Sequence, residues 1–131
     1  MIALILSIAL EIGIDGRLAV EIARKENHGL IADKVGISGD LGVMQLNPRY
    51  LDYFIKHYWD KRDVFNWKNP EHNIYVGLRH LKYLLSIPDF NEWQAIMAYN
   101  CGEAAVSSGA PPSSSIDYAN EIYTRWKRTY N

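Results

Sequence analysis

The sequence predicts a mostly α globule of five to seven short helices. Three observations carry that expectation. Apolar residues recur at three- and four-residue spacing rather than in alternation. Asn-Pro pairs and glycines mark helix starts and stops. At 131 residues the chain is long enough for one sizeable core, so a single domain over 1–131 is expected. No alternating run demands a strand, although residues 31–43 leave room for a small hairpin.

The elements follow in order. Residues 1–10 (MIALILSIAL) form an apolar run too short to span a bilayer, and neither Lys nor Arg precedes it. It reads as a buried first helix ending at Gly13, and the chain is expected to carry no export signal of its own. Asp15 is an N-cap candidate for a helix over 15–28, with Gly29 as its stop. Asn47-Pro48 opens a helix to about Tyr58, and Asn69-Pro70 opens the longest one, to about Ser86. That helix carries the stripe Ile74, Gly77, Leu78, Leu81, Leu84 and Leu85. Asn91 starts another helix, ending near Gly102. The segment 107–115 (SSGAPPSSS) reads as a surface loop, and a final helix covers 116–130.

Within the helix over 15–28, one residue breaks the pattern. Leu18, Ala19, Ile22 and Ala23 make an apolar stripe at ~100° per residue. Glu26 falls near the middle of that stripe, where Leu would be ordinary. A carboxylate pointed towards a core is disfavoured in its charged form, which is what a general acid working near neutral pH requires. The bland alternative is a helix end that frays at 27–29 and leaves Glu26 in water.

Two further segments place polar groups in apolar surroundings. Gly36, Gly39 and Gly42 permit tight turns and close backbone approach, and Gln45 follows among apolar neighbours. Asn100 stands one turn from Ile96 and Met97, at an expected inward position. Together with Glu26 these positions suggest a polar cleft between helices; singly, each would be a satisfied structural polar group.

Composition excludes several classes. A net charge of −1 gives no bulk attraction for nucleic acid or an anionic membrane. The lone Cys101 rules out an internal disulfide and a Cys-rich metal site. His72 and His80 would lie roughly two turns apart on one helix, too far for one metal. No metal, cofactor, nucleic acid or membrane insertion is expected, and a monomer is.

Taken together, Ala23, Glu26 and Gly29, then Gly39 with Gly42-Val43-Met44-Gln45, then Ala98-Tyr99-Asn100-Cys101-Gly102, then Tyr118, resemble the catalytic domain of soluble lytic transglycosylases. That family is lysozyme-like and related to goose-type lysozymes. Its blocks are Glu-Ser at a helix end, Gly-Leu-Met-Gln about sixteen residues on, Ala-Tyr-Asn-Ala-Gly, and a late Tyr. Asn73-Ile74 and Gly77 through Leu81 resemble a further family segment, so the resemblance covers about residues 3–128. This chain departs by Asn27 for the Ser, by Asp40 for an Ala, by Asn47 for a Met after the Gln, and by Ser114, Ser115 and Ile116 for a Glu-Thr-Arg triplet.

The resemblance implies cleavage of the β-1,4 bond between N-acetylmuramic acid and N-acetylglucosamine in peptidoglycan glycan strands. It makes Glu26 the catalytic acid and then base, and Met44, Gln45, Tyr99, Asn100 and Tyr118 substrate-binding residues. Asp40 is the candidate for positioning a hydrolytic water. Alternatives are a hydrolytic lysozyme, a non-catalytic glycan-binding or virion module on the same fold, and a generic helical interaction domain. Delivery to the bacterial wall by phage lysis, a virion or secretion machinery is expected.

Overall fold

A computed structural model describes residues 1–128 of the chain. Among the described residues the order is α1 (Ile2–Ile12), α2 (Gly16–Glu26), a 3-10 turn (Pro48–Tyr50), α3 (Leu51–Tyr58), α4 (Pro70–Leu85), α5 (Glu92–Cys101), α6 (Glu103–Ser107) and α7 (Ser113–Arg128). The chain divides into two compact units, 1–80 and Leu81 onward, with the division falling inside α4.

In the first unit α1 and α2 form an antiparallel-style hairpin of helices, closed by Gly13 in the left-handed region with its N–H on the Ala9 carbonyl. Ile5, Ile8, Ala9 and Ile12 are buried on one helix, and Leu18, Ala19, Ile22 and Ala23 on the other. The approach is close at Gly16, where a Cβ would stand 2.7 Å from the Leu6 side chain. The expected wholly buried first helix is not found. Ile2, Leu6 and Leu10 are exposed, Leu10 by 83%. They stand at i, i+4 and i+8, on a face of α1 flanking the stripe that packs.

Asp15 caps α2 as expected, its carboxylate accepting from the N–H groups of Arg17 and Leu18. Asn47 caps the 3-10 turn in the same way, through the Arg49 N–H, with Pro48 in the first position. The expected helix from Asn47-Pro48 therefore starts as a tighter turn before α3. Asn69 accepts from the Glu71 N–H at the head of α4. Residues 72–78 of α4 are buried without a break, so this helix is enclosed all round over two turns rather than along one stripe. The room left for a hairpin at 31–43 is occupied by isolated bridges only, Val35 with Leu41 and Leu41 with Leu46.

In the second unit Asn91 and Gln94 form a reciprocal capping box that starts α5, and α7 packs along that helix. Trp93 Nε1 donates to Asn120 at 2.9 Å and Glu92 pairs with Lys127 at 3.1 Å. The segment 107–115 is not one surface loop. It contains the last residue of α6 and the first turn of α7, which begins at Ser113 rather than 116. Pro111 and Pro112, disfavoured inside a helix, sit just before that start, where their fixed φ suits the entry. Residue 130, the expected end of the last helix, lies outside the described residues.

Candidate active site

Glu26 is the last residue of α2 and is half-buried. It is therefore neither in the core nor fully in water, as the mixed position of its stripe at a helix end would give. Directly after it the backbone leaves the helix at Asn27 (φ −143°, ψ 86°). The Asn27 side chain is completely buried. Its Nδ2 donates to the carbonyls of Ile31 at 2.8 Å and Gly42 at 3.2 Å, and its Oδ1 accepts the Ile31 N–H at 3.1 Å.

The glycine-rich segment forms a compact loop. Leu41 and Leu46 exchange N–H···O bonds at 2.9 Å in both directions, closing a turn over the four residues between them. Gly42 (φ 75°) and Gln45 (φ 53°) both take left-handed backbone conformations in that turn. For Gln45 this is strained, because its Cβ crowds the backbone there. At Gly42 a Cβ would collide with the Asn73 amide and stand 3.0 Å from the Trp67 carbonyl, so glycine is required by space as well as by φ.

Asn73 holds this loop from α4. Buried completely, it accepts the Met44 N–H at 2.8 Å and donates to the carbonyls of Leu41 at 3.0 Å and Trp67 at 3.1 Å. Gln45 is half-buried, and its Nε2 donates to the Gly42 carbonyl at 2.9 Å. Its Oε1 lies against Gly36, where a Cβ would force that side chain to shift. Met44, expected as a substrate contact, is 0% exposed. Asp40 is half-buried in the same loop, and burial raises its carboxyl above the ordinary carboxylate range.

The remaining expected site residues belong to the second unit. Tyr99 is half-buried on α5. Asn100 is exposed rather than inward, because the buried face of α5 is the run Ala95–Ala98 and Asn100 lies in the last turn beyond it. Its Oδ1 accepts the Ser115 hydroxyl at 2.7 Å. Tyr118, on α7, is only 6% exposed. A groove of about 510 Å³ in this unit is lined by Leu85, Phe90, Asn91, Glu92, Trp93 and Tyr123, none of them an expected site residue.

Asn27 and Asn73 are the two residues that sequence reasoning undervalued. Both are buried, and an amide that cannot reach water must bond to backbone where turns leave groups unpaired, as both do around Gly42. Among the described residues no group of three His, Cys, Asp or Glu could hold a metal ion. No described helix is long and apolar enough to cross a membrane. His72 and His80 are separately engaged: His72 with Asp63 and the Asn66 N–H, His80 with the Tyr58 hydroxyl.

The family described as the transglycosylase SLT domain matches residues 3–122. Two solved structures are similar. One is the 70 kDa soluble lytic transglycosylase of Escherichia coli, with a TM-score of 0.81 and 21% identity over 98% of this chain. The other is an inactive mutant of the lytic transglycosylase Slt of Pseudomonas aeruginosa, with a TM-score of 0.77 and 20% identity over 92% of this chain. This chain spans 24% and 22% of their respective lengths.

Proposed function

Because the chain belongs to the transglycosylase SLT domain family, we propose that it cleaves peptidoglycan glycan strands between N-acetylmuramic acid and N-acetylglucosamine, without water. The observation that carries this reading is Glu26: a half-buried carboxylate at the end of α2, followed at once by the amide that ties down the Gly42–Gln45 loop.

Glu26 first acts as an acid. Its proton passes to the glycosidic oxygen as the bond from that oxygen to the muramic C1 breaks, freeing the N-acetylglucosamine hydroxyl. The N-acetyl oxygen of the muramic sugar stabilises the cation forming at C1, as in substrate-assisted glycosidases that lack a second carboxylate. Glu26, now a carboxylate, takes the proton of the sugar's 6-hydroxyl while that oxygen bonds to C1. A 1,6-anhydro ring closes, the proton is back on Glu26, and no water is consumed. By the family resemblance, Gln45, Tyr99, Asn100 and Tyr118 are the candidate sugar-binding residues.

Hydrolysis is the second reading, and Asp40 is the observation behind it. Burial raises the pKa of that carboxyl, which makes its ionised form a stronger base for water. Digestion of purified sacculi with mass spectrometry of the products tests both. Anhydro-muramic ends from wild type are expected, with a loss of about 10²–10⁴-fold in rate for Glu26→Gln. Glu26→Gln retaining more than about a tenth of wild-type turnover would overturn the assignment of the acid.

A further inference from the structure

We propose that Asn27 is a positioning residue for catalysis, fixing the helix end that carries Glu26 to the loop that carries Gln45. This role depends on the reading of Glu26 as the acid. The geometry behind it is a shared acceptor. The Gly42 carbonyl receives Asn27 Nδ2 at 3.2 Å and Gln45 Nε2 at 2.9 Å, so one oxygen joins the two side chains.

The rest of the Asn27 amide is used with equal economy. One Nδ2 hydrogen is available for each of two carbonyls, Ile31 and Gly42, and Oδ1 takes the Ile31 N–H, which also fixes which amide atom is oxygen. The backbone joins in: Asn27 N–H closes the last turn of α2 on Ala23, and its carbonyl accepts the Leu30 N–H, with Leu30 held at φ 50°. A serine hydroxyl, with one hydrogen, could serve only one of the two carbonyls.

The functional consequence follows from where Glu26 stands. A helix's last residue is where fraying begins, and a general acid displaced by about 1 Å can lose about 10²-fold in rate. Glu26 and Asn27 are neighbours, so their Cα atoms are about 3.8 Å apart and cannot move independently. Anchoring Asn27 to both the 31 and 42 carbonyls holds the Glu26 backbone against the loop. Being fully buried, Asn27 does not touch substrate; it acts through Glu26 and Gln45.

The test measures kcat and KM on solubilised glycan strands for wild type, Asn27→Ala, Asn27→Ser, Gln45→Ala and the Asn27→Ala/Gln45→Ala double variant. Amide hydrogen exchange over residues 41–46 is followed in the same proteins, well below their melting temperatures. Asn27→Ala is expected to lower kcat about 10–100-fold with KM within about threefold, and to speed exchange in the loop. Asn27→Ser should fall between Ala and wild type. The double variant should be less impaired than the product of the two single effects, since both act through one carbonyl. Wild-type kcat in folded Asn27→Ala, or fully multiplicative effects, would overturn the proposal. If Asn27→Ala does not fold, Asn27→Ser decides: reduced kcat at constant KM supports the role and wild-type kcat refutes it. A wild-type protein inactive on every glycan would remove the functional reading, and the catalytic role with it, whereas unaltered loop exchange would refute the anchoring alone.

Discussion

Asn73 Oδ1 accepts the Met44 N–H at 2.8 Å, across 29 residues of chain. The same amide gives its hydrogens to Leu41 and Trp67, so one α4 side chain satisfies three backbone groups of two different loops. Each buried group left without a partner costs about 1–3 kcal/mol. Asn73→Leu, close in size but unable to bond, is expected to lower unfolding free energy by about 3 kcal/mol or more. Urea unfolding measures this, and a loss under about 1 kcal/mol would show that water replaces the amide.

The proposed substrate contacts should separate from scaffold residues by a different balance. Asn100→Ala leaves the nearly buried Ser115 hydroxyl without its acceptor, a cost of about 1 kcal/mol. Gln45→Ala removes one bond to the Gly42 carbonyl. Turnover on sacculi, normalised to folded protein, should fall about tenfold or more in each, well beyond those stability losses. Unchanged turnover with lowered melting would make both residues scaffold.

Asp40 gives a test of the reaction's outcome. If its carboxyl only fills a half-buried place in the loop, Asp40→Asn should leave the product pattern unchanged, because the amide is nearly the same size and shape and fills the same place. Mass spectrometry distinguishes anhydro from reducing ends by about 18 Da, one water. A wild type yielding mainly reducing ends, suppressed in Asp40→Asn, would establish hydrolysis through Asp40.

Acid should destabilise the protein through His80. Its ring packs on Phe54 with centroids 4.7 Å apart and contacts the Tyr58 hydroxyl at 3.0 Å. Burial lowers its pKa from 6.5 to about 4. The unfolded chain therefore takes up this proton first as pH falls. Stability is lost progressively from about pH 6.5 to about pH 4 and levels off below, a loss of about 3 kcal/mol from this group. Comparing wild type with His80→Leu by denaturant unfolding at pH 7.5 and 4 isolates it; equal losses in both proteins would show that other groups dominate.

Much of the helical framework was legible because its signals are local. Asp15, Asn47, Asn69 and Asn91 announce helix starts through their own side chains, and Gly13 announces a stop through its φ. Glu26 was legible as an anomaly within a stripe. What the sequence concealed depends on partners far along the chain. Nothing near residue 44 says that its N–H will be claimed from α4. Met44 and Gln45 are adjacent and both looked like site residues, yet one is buried and the other half-buried, with Gln45 in a left-handed backbone conformation. Asn100 misled for a similar reason. Helical spacing placed it near the inward face, but only Ala95–Ala98 of that helix are covered. The five-residue α6 is too short for any periodicity to reveal.

The long reach from Met44 to Asn73 also bears on synthesis. A ribosome adds roughly 5–20 residues per second, so about 1.5–6 s separate the two residues' incorporation. During that interval Glu26, Asn27 and the whole loop exist, but the side chain that claims Met44, Leu41 and Trp67 does not. The nascent chain is thus expected to hold the segment from Glu26 to Gln45 open until α4 emerges. Stalled chains in which residues 36–46 have left the ribosome but α4 has not should be cut by protease within that segment, and chains long enough to release α4 should resist. Equal resistance at both lengths would mean that the α1–α2 pair and Asn27 suffice to shape the loop.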